Sequence, residues 1–565
     1  MNEREVNAFV LPDSVSVFLV LFCIAFLVSC SNGHDKSGAS KKGLFSSKFP
    51  DKEEFATQLK TVLKPEDTTA KKKGGKSVSD YLTIAYRKNE YAPFWTSEKG
   101  VTDKAKAFLK DLREITWDGI DQERYHLQQL SKQADAFEKN RGADAASVVA
   151  FDTALTSAYL NASRDLLMGI IPPKIVDSLW FHGNDSIWSA PDLLVNTISK
   201  EDKYIPLDSF RSKIPAYSLL KSELQRFDKL MTDVKLDSLI NLVHASPTVK
   251  EPDSAQLVVV ATIVKTELPW VQTSTNDTLS ENQQLLTAYQ NYYGIKPSGK
   301  ADSTTMRYLG MPLSTTTAKL KANLERLRWM QKDIGDFYVL VDVPLMELFF
   351  KRNNEDALHM RVVVGRPERQ TPSLNADMAN VVINPPWGVP PTILKKDVLP
   401  GITKNVNYLK KKGLKAYDRK GNVIDAALIN STNYRNYTYK QAPGDGNSLG
   451  YVKFNLPNPW DIYLHDTPHR DDFPLRYRAK SSGCVRVQKP QEMAVYILSQ
   501  IEKLNFTQDT LTKMIKTHVT NWKILKNKIP VHIVYLTAYP DTTGNHIRLV
   551  SDIYKRDQKL MSYLK

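Results

Sequence analysis

The hydrophobic period of this chain changes once, near residue 330, and that change decides which folds are open to each half. Before it, apolar residues recur at helical spacing. In DKAKAFLKDLREI (103–115) they are Ala105, Phe108, Leu109, Leu112 and Ile115, and 154–167 repeats the pattern. KANLERLRWM (321–330) reads as a last helix leading into the C-terminal part of the chain. Beyond it, YVLVDVPLMELFF (338–350), MRVVVG (360–365), NVVIN (380–384), DIYLHDT (461–467) and PVHIVYLTA (530–538) are runs of β-branched and aromatic residues that suit strands. At 565 residues the chain exceeds what a single core can serve. The expected class is multidomain α+β: a helical N-terminal scaffold over 77–245, a small three-helix module over 246–313, and a mainly-β domain over 317–565.

The N-terminus carries one apolar run, SVSVFLVLFCIAFLVS (14–29). It is shorter than the roughly 20 residues that span a bilayer, and it suits the core of a signal peptide. It ends in Leu27-Val28-Ser29-Cys30, which resembles a bacterial lipobox. That resemblance implies removal of 1–29, a membrane anchor through lipid on Cys30, and a periplasmic body in the cell envelope; Ser31 is compatible with the outer membrane. Glu3, Glu5 and Asp13 beside a lone Arg4 depart from the positive charge such leaders carry. An uncleaved anchor is the alternative reading, and it leaves the body in the same compartment. Residues 30–76 read as a flexible linker with KKKGGK at 71–76.

A net charge of +15 suits anionic surroundings. The basic runs Lys71–Lys73 and Lys410–Lys412 have no aromatic residues interleaved for stacking, so they read as solvated faces and nucleic acid is not an expected partner. Of three cysteines, Cys23 and Cys30 fall in or at the leader. Cys484 is then the single thiol of the processed chain. A lone thiol exported to an oxidising compartment points to catalysis.

Two further segments stand out. In 282–312, Leu285, Leu286, Tyr289 and Tyr293 make a helix face, Gly294 can end that helix, and a turn with Pro297 and Gly299 leads to a second helix. Tyr289-Gln290, Gly294-Ile295, Gly299 and Thr304 resemble the pattern of a small peptidoglycan-binding module. Residues 388–448 read as a long polar insertion of helical and loop character, and a loop of that length in a compact domain is usually functional, for example as a lid.

The chemistry concentrates in DIYLHDTPHRDDFPLRYRAKSSGCVRV (461–487). A cysteine with the ordinary pKa of about 8.5 is mostly thiol near neutrality and needs a base. His465 and Cys484 sit on two putative strands whose pairing could bring imidazole and sulfur together. Gly483 has no side chain, so the N–H groups of Gly483 and Cys484 are expected to bind an oxyanion. Alternation places Tyr463 and Thr467 on the face of His465 and turns Asp466 away, which leaves a backbone carbonyl as the expected partner of the imidazole. Arg486 shares the face of the sulfur, as a carboxylate-binding group or as half of an ion pair. HDTPH (465–469) superficially matches a zinc pattern, but Pro468 opposes the helix that pattern requires, so no metal is expected.

His465, fifteen residues, then Ser481-Ser482-Gly483-Cys484-Val485-Arg486 closely resembles the signature of YkuD-type L,D-transpeptidases. Ser482 stands where the family commonly has a second His. RVVVGRPERQTP (361–372), NPPWGVPP (384–391) and NSLGYVKF (447–454) are similar to catalytic-domain motifs of the long YcbB-like branch, and the resemblance covers nearly all of 77–565. It implies a cysteine nucleophile, Cys484, with His465 as base, and peptidoglycan stem peptides as substrate. The implied course is a thioester formed with loss of the terminal D-Ala of a tetrapeptide, then a 3–3 cross-link to a neighbouring stem. It implies no cofactor, acylation by carbapenems, a substrate cap in 388–448, and substrate contacts from Tyr463, Thr467, Ser482, Arg486 and Trp387. An L,D-carboxypeptidase or a protein-to-wall ligase would use the same nucleophile. A non-catalytic wall-tethering lipoprotein would use only 282–312.

Overall fold

The computed structural model describes residues 49–63, 78–140, 142–183, 194–200, 203–245, 252–541 and 543–564. The apolar run, Cys30 and Lys71–Lys73 lie outside the described residues. No helix among those described is long and apolar enough to cross a membrane.

The N-terminal half is helical: α1 (Lys52–Val62), α2 (Val78–Lys88), α3 (Asp103–Arg113), α4 (Leu127–Asn140) and α5 (Ala145–Met168). α1 lies inside the segment expected as linker, which is therefore corrected over these residues. Asp51 caps it by accepting the Glu53 and Glu54 N–H groups, and Phe55 and Leu59, one turn apart, are buried in the scaffold core. α5 is buried along most of its length. Its Asp152 is fully buried and accepts hydrogen bonds from Tyr86 Oη, from the Phe94, Trp95 and Thr96 N–H groups and from Thr96 Oγ1, so the extended segment 94–96 is fastened to the central helix.

In the next segment α6 (Glu281–Tyr292) starts at a Ser280/Gln283 capping box. Gln290 then organises the turn: its side-chain nitrogen donates to Ser298 Oγ, Lys300 O and Thr305 Oγ1, and its oxygen accepts from the Gly299 N–H. α7 (Ser303–Leu309) and α8 (Leu313–Arg328) come next. Gly294 has φ +63, and a Cβ there would stand 2.3 Å from Leu549 O, so only glycine allows this close approach to the C-terminal domain. The segment has no separate core. Leu285, Tyr289 and Leu309 belong to one apolar cluster with Leu320 and Leu324 of α8 and with Leu340, Phe349 and Val534 of the sheet beyond.

The C-terminal strands are β1 (Phe337–Asp342), β2 (Glu347–Arg352), β3 (Glu355–Gly365), β4 (Ser373–Ile383), β5 (Val452–Asn455), β6 (Leu464–His465), β7 (Val485–Val487) and β8 (Asn521–Val534). Their order is β5-β6-β7-β3-β2-β1-β8-β4, and β4 pairs back with β5, which closes the sheet on itself. β1 explains its own unbroken apolar run. Val339 and Val341 face the inside of the closed sheet, while Tyr338 and Leu340 face the helices, so both sides are buried. The expected α+β class is the one observed. The insertion has the helices expected of it, such as Leu399–Lys404, but adds strands to the expected helical and loop character: Trp387–Gly388, Leu414–Tyr417, Val423–Ile424 and Thr438–Gln441 form a second sheet with its own small core around Leu394, Val398, Leu414 and Tyr439. Its strands are two to four residues long, too short to show a period in sequence.

Candidate active site

Three adjacent strands build the site. β6 and β7 pair in parallel, with Leu464 opposite Val485 and His465 opposite Arg486. β5 pairs antiparallel with β6 and sets Lys453 opposite His465. Opposed residues share a face, so Lys453, His465 and Arg486 stand on one side, and Phe454, Leu464 and Val485 fill the core on the other. Cys484 and Tyr463 lie two residues before Arg486 and His465 and keep the same alternation. The Val485 N–H donates to Tyr463 O at 3.2 Å and ties the two strand starts together.

His465 is buried, and its Nδ1 bonds the carbonyl oxygen of Asp466 at 2.5 Å. A carbonyl only accepts, so Nδ1 carries the hydrogen and Nε2 keeps its lone pair. Burial first, then the Arg486 charge, and more weakly that of Lys453, push the imidazole pKa down to about 3 despite that bond. The ring is therefore neutral, as a base must be.

Asp466 points away from the site, as alternation requires. Its carboxylate accepts from the Tyr451 and Thr467 N–H groups at 2.9 and 2.6 Å and pairs with Arg470, which fixes the turn whose carbonyl holds His465. Gly450 (φ +59) packs directly against it: a Cβ there would lie 2.4 Å from the Asp466 carboxyl carbon. Gly450→Ala is expected to destabilise the fold by about 1–3 kcal/mol and to slow reaction at Cys484 by displacing Asp466. Thermal melting together with thiol acylation kinetics checks this, and a variant unchanged in both would remove the role.

The Cys484 thiol donates to Asp461 O at 3.5 Å, and Tyr463 stands beside the sulfur. Burial pushes the thiol above its ordinary pKa, while Tyr463 and the Lys453 ammonium act in the opposite sense. Lys453 Nζ sits 4.1 Å over the Tyr463 ring, and that ring is 5.5 Å from the His465 ring. Thiol and imidazole thus share a face without a hydrogen bond between them, a spacing common in unliganded catalytic sites.

The other expected residues divide. Trp387, at the start of the insertion, is close enough to Tyr463 to lower its hydroxyl pKa against the larger effect of burial. Arg486 forms an ion pair with Asp472 at 3.1 Å, and Asp472 also holds Lys480. Ser482 Oγ accepts from Arg369 at 3.0 Å, and Arg369 in turn grips Asp397 of the insertion. Thr467 is buried and its hydroxyl accepts from the His469 N–H at 3.1 Å, which shapes the turn after His465. The Gly483 N–H, expected as an oxyanion donor beside that of Cys484, donates to Ser481 Oγ at 3.1 Å in this structure. The cause is local: at φ +123, with Ser481 Oγ bonding Cys484 O and Thr371 Oγ1 bonding Gly483 O, the loop closes on itself. The Cys484 N–H remains as the expected donor. Sequence reasoning missed Lys453 although NSLGYVKF contains it, because its role depends on which strand lies beside β5.

A family model described as the L,D-transpeptidase catalytic domain, YkuD, matches residues 336–520, and a scaffold-domain model matches 80–224. A putative L,D-transpeptidase of Haemophilus influenzae is 34% identical over 290 residues, which is 50% of this chain and 57% of that relative. The chain thus spans just over half the length of the curated relative it matches. Two solved structures are also similar, the Ldtfm–avibactam carbamoyl enzyme and a cysteine-to-serine mutant of the Enterococcus faecium L,D-transpeptidase. Each is 12% identical and covers 40% of this chain, with 64% and 65% of theirs covered and TM-scores of 0.18 and 0.19. Such scores define no fold. The two domain matches and the H. influenzae relative support the resemblance to L,D-transpeptidases: residues 336–520 match a YkuD-type catalytic domain and residues 80–224 a scaffold domain.

Proposed function

We propose that this chain is a peptidoglycan L,D-transpeptidase that forms 3–3 cross-links through a thioester on Cys484, with His465 as its base. One observation carries the reading: a neutral imidazole with Nε2 free shares a strand face with a thiol, between the cations of Lys453 and Arg486. As the sulfur attacks the carbonyl before the terminal D-Ala, its proton passes to His465 Nε2 and the Cys484 N–H receives the developing oxyanion. His465 then protonates the leaving amine. The side-chain amine of a third residue on a neighbouring stem attacks the thioester, gives its proton to His465, and the thiolate leaves. Lys453 and Arg486 favour the negative charge that passes through sulfur and oxygen, and they suit stem-peptide carboxylates. The Arg369–Asp397 grip ties the insertion to the loop of Ser482, which supports its reading as a cap: over a thioester on Cys484 it would exclude water and favour transfer over hydrolysis. A lipid on Cys30 would hold the enzyme in the periplasm, at the outer membrane.

The test is product analysis with a disaccharide tetrapeptide. A dimer lighter by one D-Ala supports transpeptidation. A tripeptide alone makes the enzyme an L,D-carboxypeptidase, and no product removes the enzymatic reading. Lys453 gives a second test. Lys453→Met removes a cation that favours the thiolate, so the pH profile of Cys484 alkylation is expected to move to higher pH. An unmoved profile contradicts the role given to Lys453.

A further inference from the structure

A cavity of about 410 Å³ lies where the end of α6 meets the catalytic sheet. Four guanidinium groups line it, those of Arg361, Arg476, Arg478 and Arg548, against one carboxylate, Glu347. None of Cys484, His465, Lys453 or Tyr463 is in its wall, although Pro474 stands two residues beyond Asp472, the partner of Arg486.

The cationic excess is not absorbed by the protein. Arg478 is buried and spends its nitrogens on the carbonyl oxygens of Val362, Leu475 and Met346. Arg548 reaches Glu347 at 3.1 Å with Nη2, while its Nε is buried without a partner. The second oxygen of Glu347 goes to His359. Arg361 and Arg476 are exposed, and among the described residues their guanidinium groups bond only the carbonyl oxygens of Phe473 and Gly294. Burial pushes Arg478 down to about 10, with Arg361 and Arg548 contributing against Glu347. An anion in the cavity would relieve all of these. The same wall presents apolar surface: Leu475 is 42% and Tyr477 48% exposed.

We propose that this cavity is a second binding site, separate from Cys484, for a carboxylate-bearing peptide. Guanidinium forks match carboxylates in two-point bonds, and Leu475 and Tyr477 offer contact to the aliphatic part of such a chain, which a bare phosphate would leave unused. That the peptide belongs to peptidoglycan rests on the proposed function; the carboxylate preference does not. Bound there, a stem would be held by the helical segment and the catalytic sheet together.

The probe is the tripeptide L-Ala–γ-D-Glu–diaminopimelate, which lacks the D-Ala leaving residue, titrated calorimetrically into the full chain. Arg361→Glu with Arg476→Glu is expected to weaken binding at least about tenfold, and amidating the carboxylates of the tripeptide is expected to do the same. Arg361→Gln with Arg476→Gln, checked by melting temperature, shows that the loss is one of charge and not of folding. Equal affinity for wild type and charge-reversed chain, equal affinity for the amidated tripeptide, or no binding to the wild type would each overturn the site. Acylation of Cys484 by a carbapenem is read separately. A chain that is acylated but indifferent to the arginines loses only this site, and a chain that binds through them but is not acylated loses only the enzymatic reading.

Discussion

His465→Gln is expected to slow acylation of Cys484 by about 10²- to 10⁴-fold, the range that a positioned general base supplies. Burial pushes the thiol upward and the imidazole down to about 3, so the resting pair is neutral thiol and neutral ring, with no preformed ion pair. Proton transfer then has to accompany attack, and removing the acceptor removes the route. The same burial has a consequence for stability. A histidine whose folded pKa lies below its unfolded value of about 6.5 stabilises the fold fully above that value, and the contribution is lost as pH falls toward the folded pKa. His465 at about 3, His182 at about 3 and His532 at about 4 all act in this direction. The melting temperature should therefore fall between pH 6.5 and 4, and less steeply in His465→Gln. A fall of equal slope would contradict the buried neutral imidazole.

The largest expected loss of stability lies far from the chemistry, at Glu325 of α8. Glu325 is fully buried. One oxygen accepts the Ile171 N–H at 2.8 Å and the Trp329 indole at 3.0 Å, and the other accepts Arg328 Nη2 at 2.6 Å. Arg328 continues to Asp118 O and Tyr217 Oη, and Asp118 carries the Arg211 guanidinium. The network joins the scaffold to the helix that leads into the catalytic sheet. Glu325→Ala takes the carboxylate from the buried Arg328 guanidinium and the acceptor from the Ile171 and Trp329 N–H groups, at a cost of about 3–5 kcal/mol. Glu325→Gln keeps acceptor capacity and should lose less. Denaturant unfolding of the two variants checks the order, and equal losses would show that the charge contributes nothing.

How much was legible in the sequence depends on how far apart the determining residues are. The change of period at residue 330 is local, and it marks where the strands of the main sheet begin, although helices such as Pro490–Tyr496 and Gln508–Lys516 lie among them. The pairing of His465 with the Cys484 strand, and the turning of Asp466 away from the site, come from a spacing and a two-residue alternation, both readable in one stretch. Lys453 was not legible because its place beside His465 depends on the register of β5 on β6. The bond from the Gly483 N–H to Ser481 was not legible, because the hydrogen bonds of a four-residue loop depend on a positive φ that spacing does not reveal. α1 was hidden among lysines and glycines, since one Phe55–Leu59 pair is too little to show a period. The core shared by the 282–312 segment and the sheet, and the arginine cavity beside it, draw on segments far apart in the chain and needed the fold itself.

The central claim is that Cys484 is an acylating nucleophile, and intact-protein mass spectrometry of the chain with a carbapenem tests it most directly. One adduct on the wild type, and none on Cys484→Ala, is the predicted result. A wild type that takes up no adduct and leaves a stem tetrapeptide unprocessed, or a Cys484→Ala chain that still takes up the adduct, would contradict it.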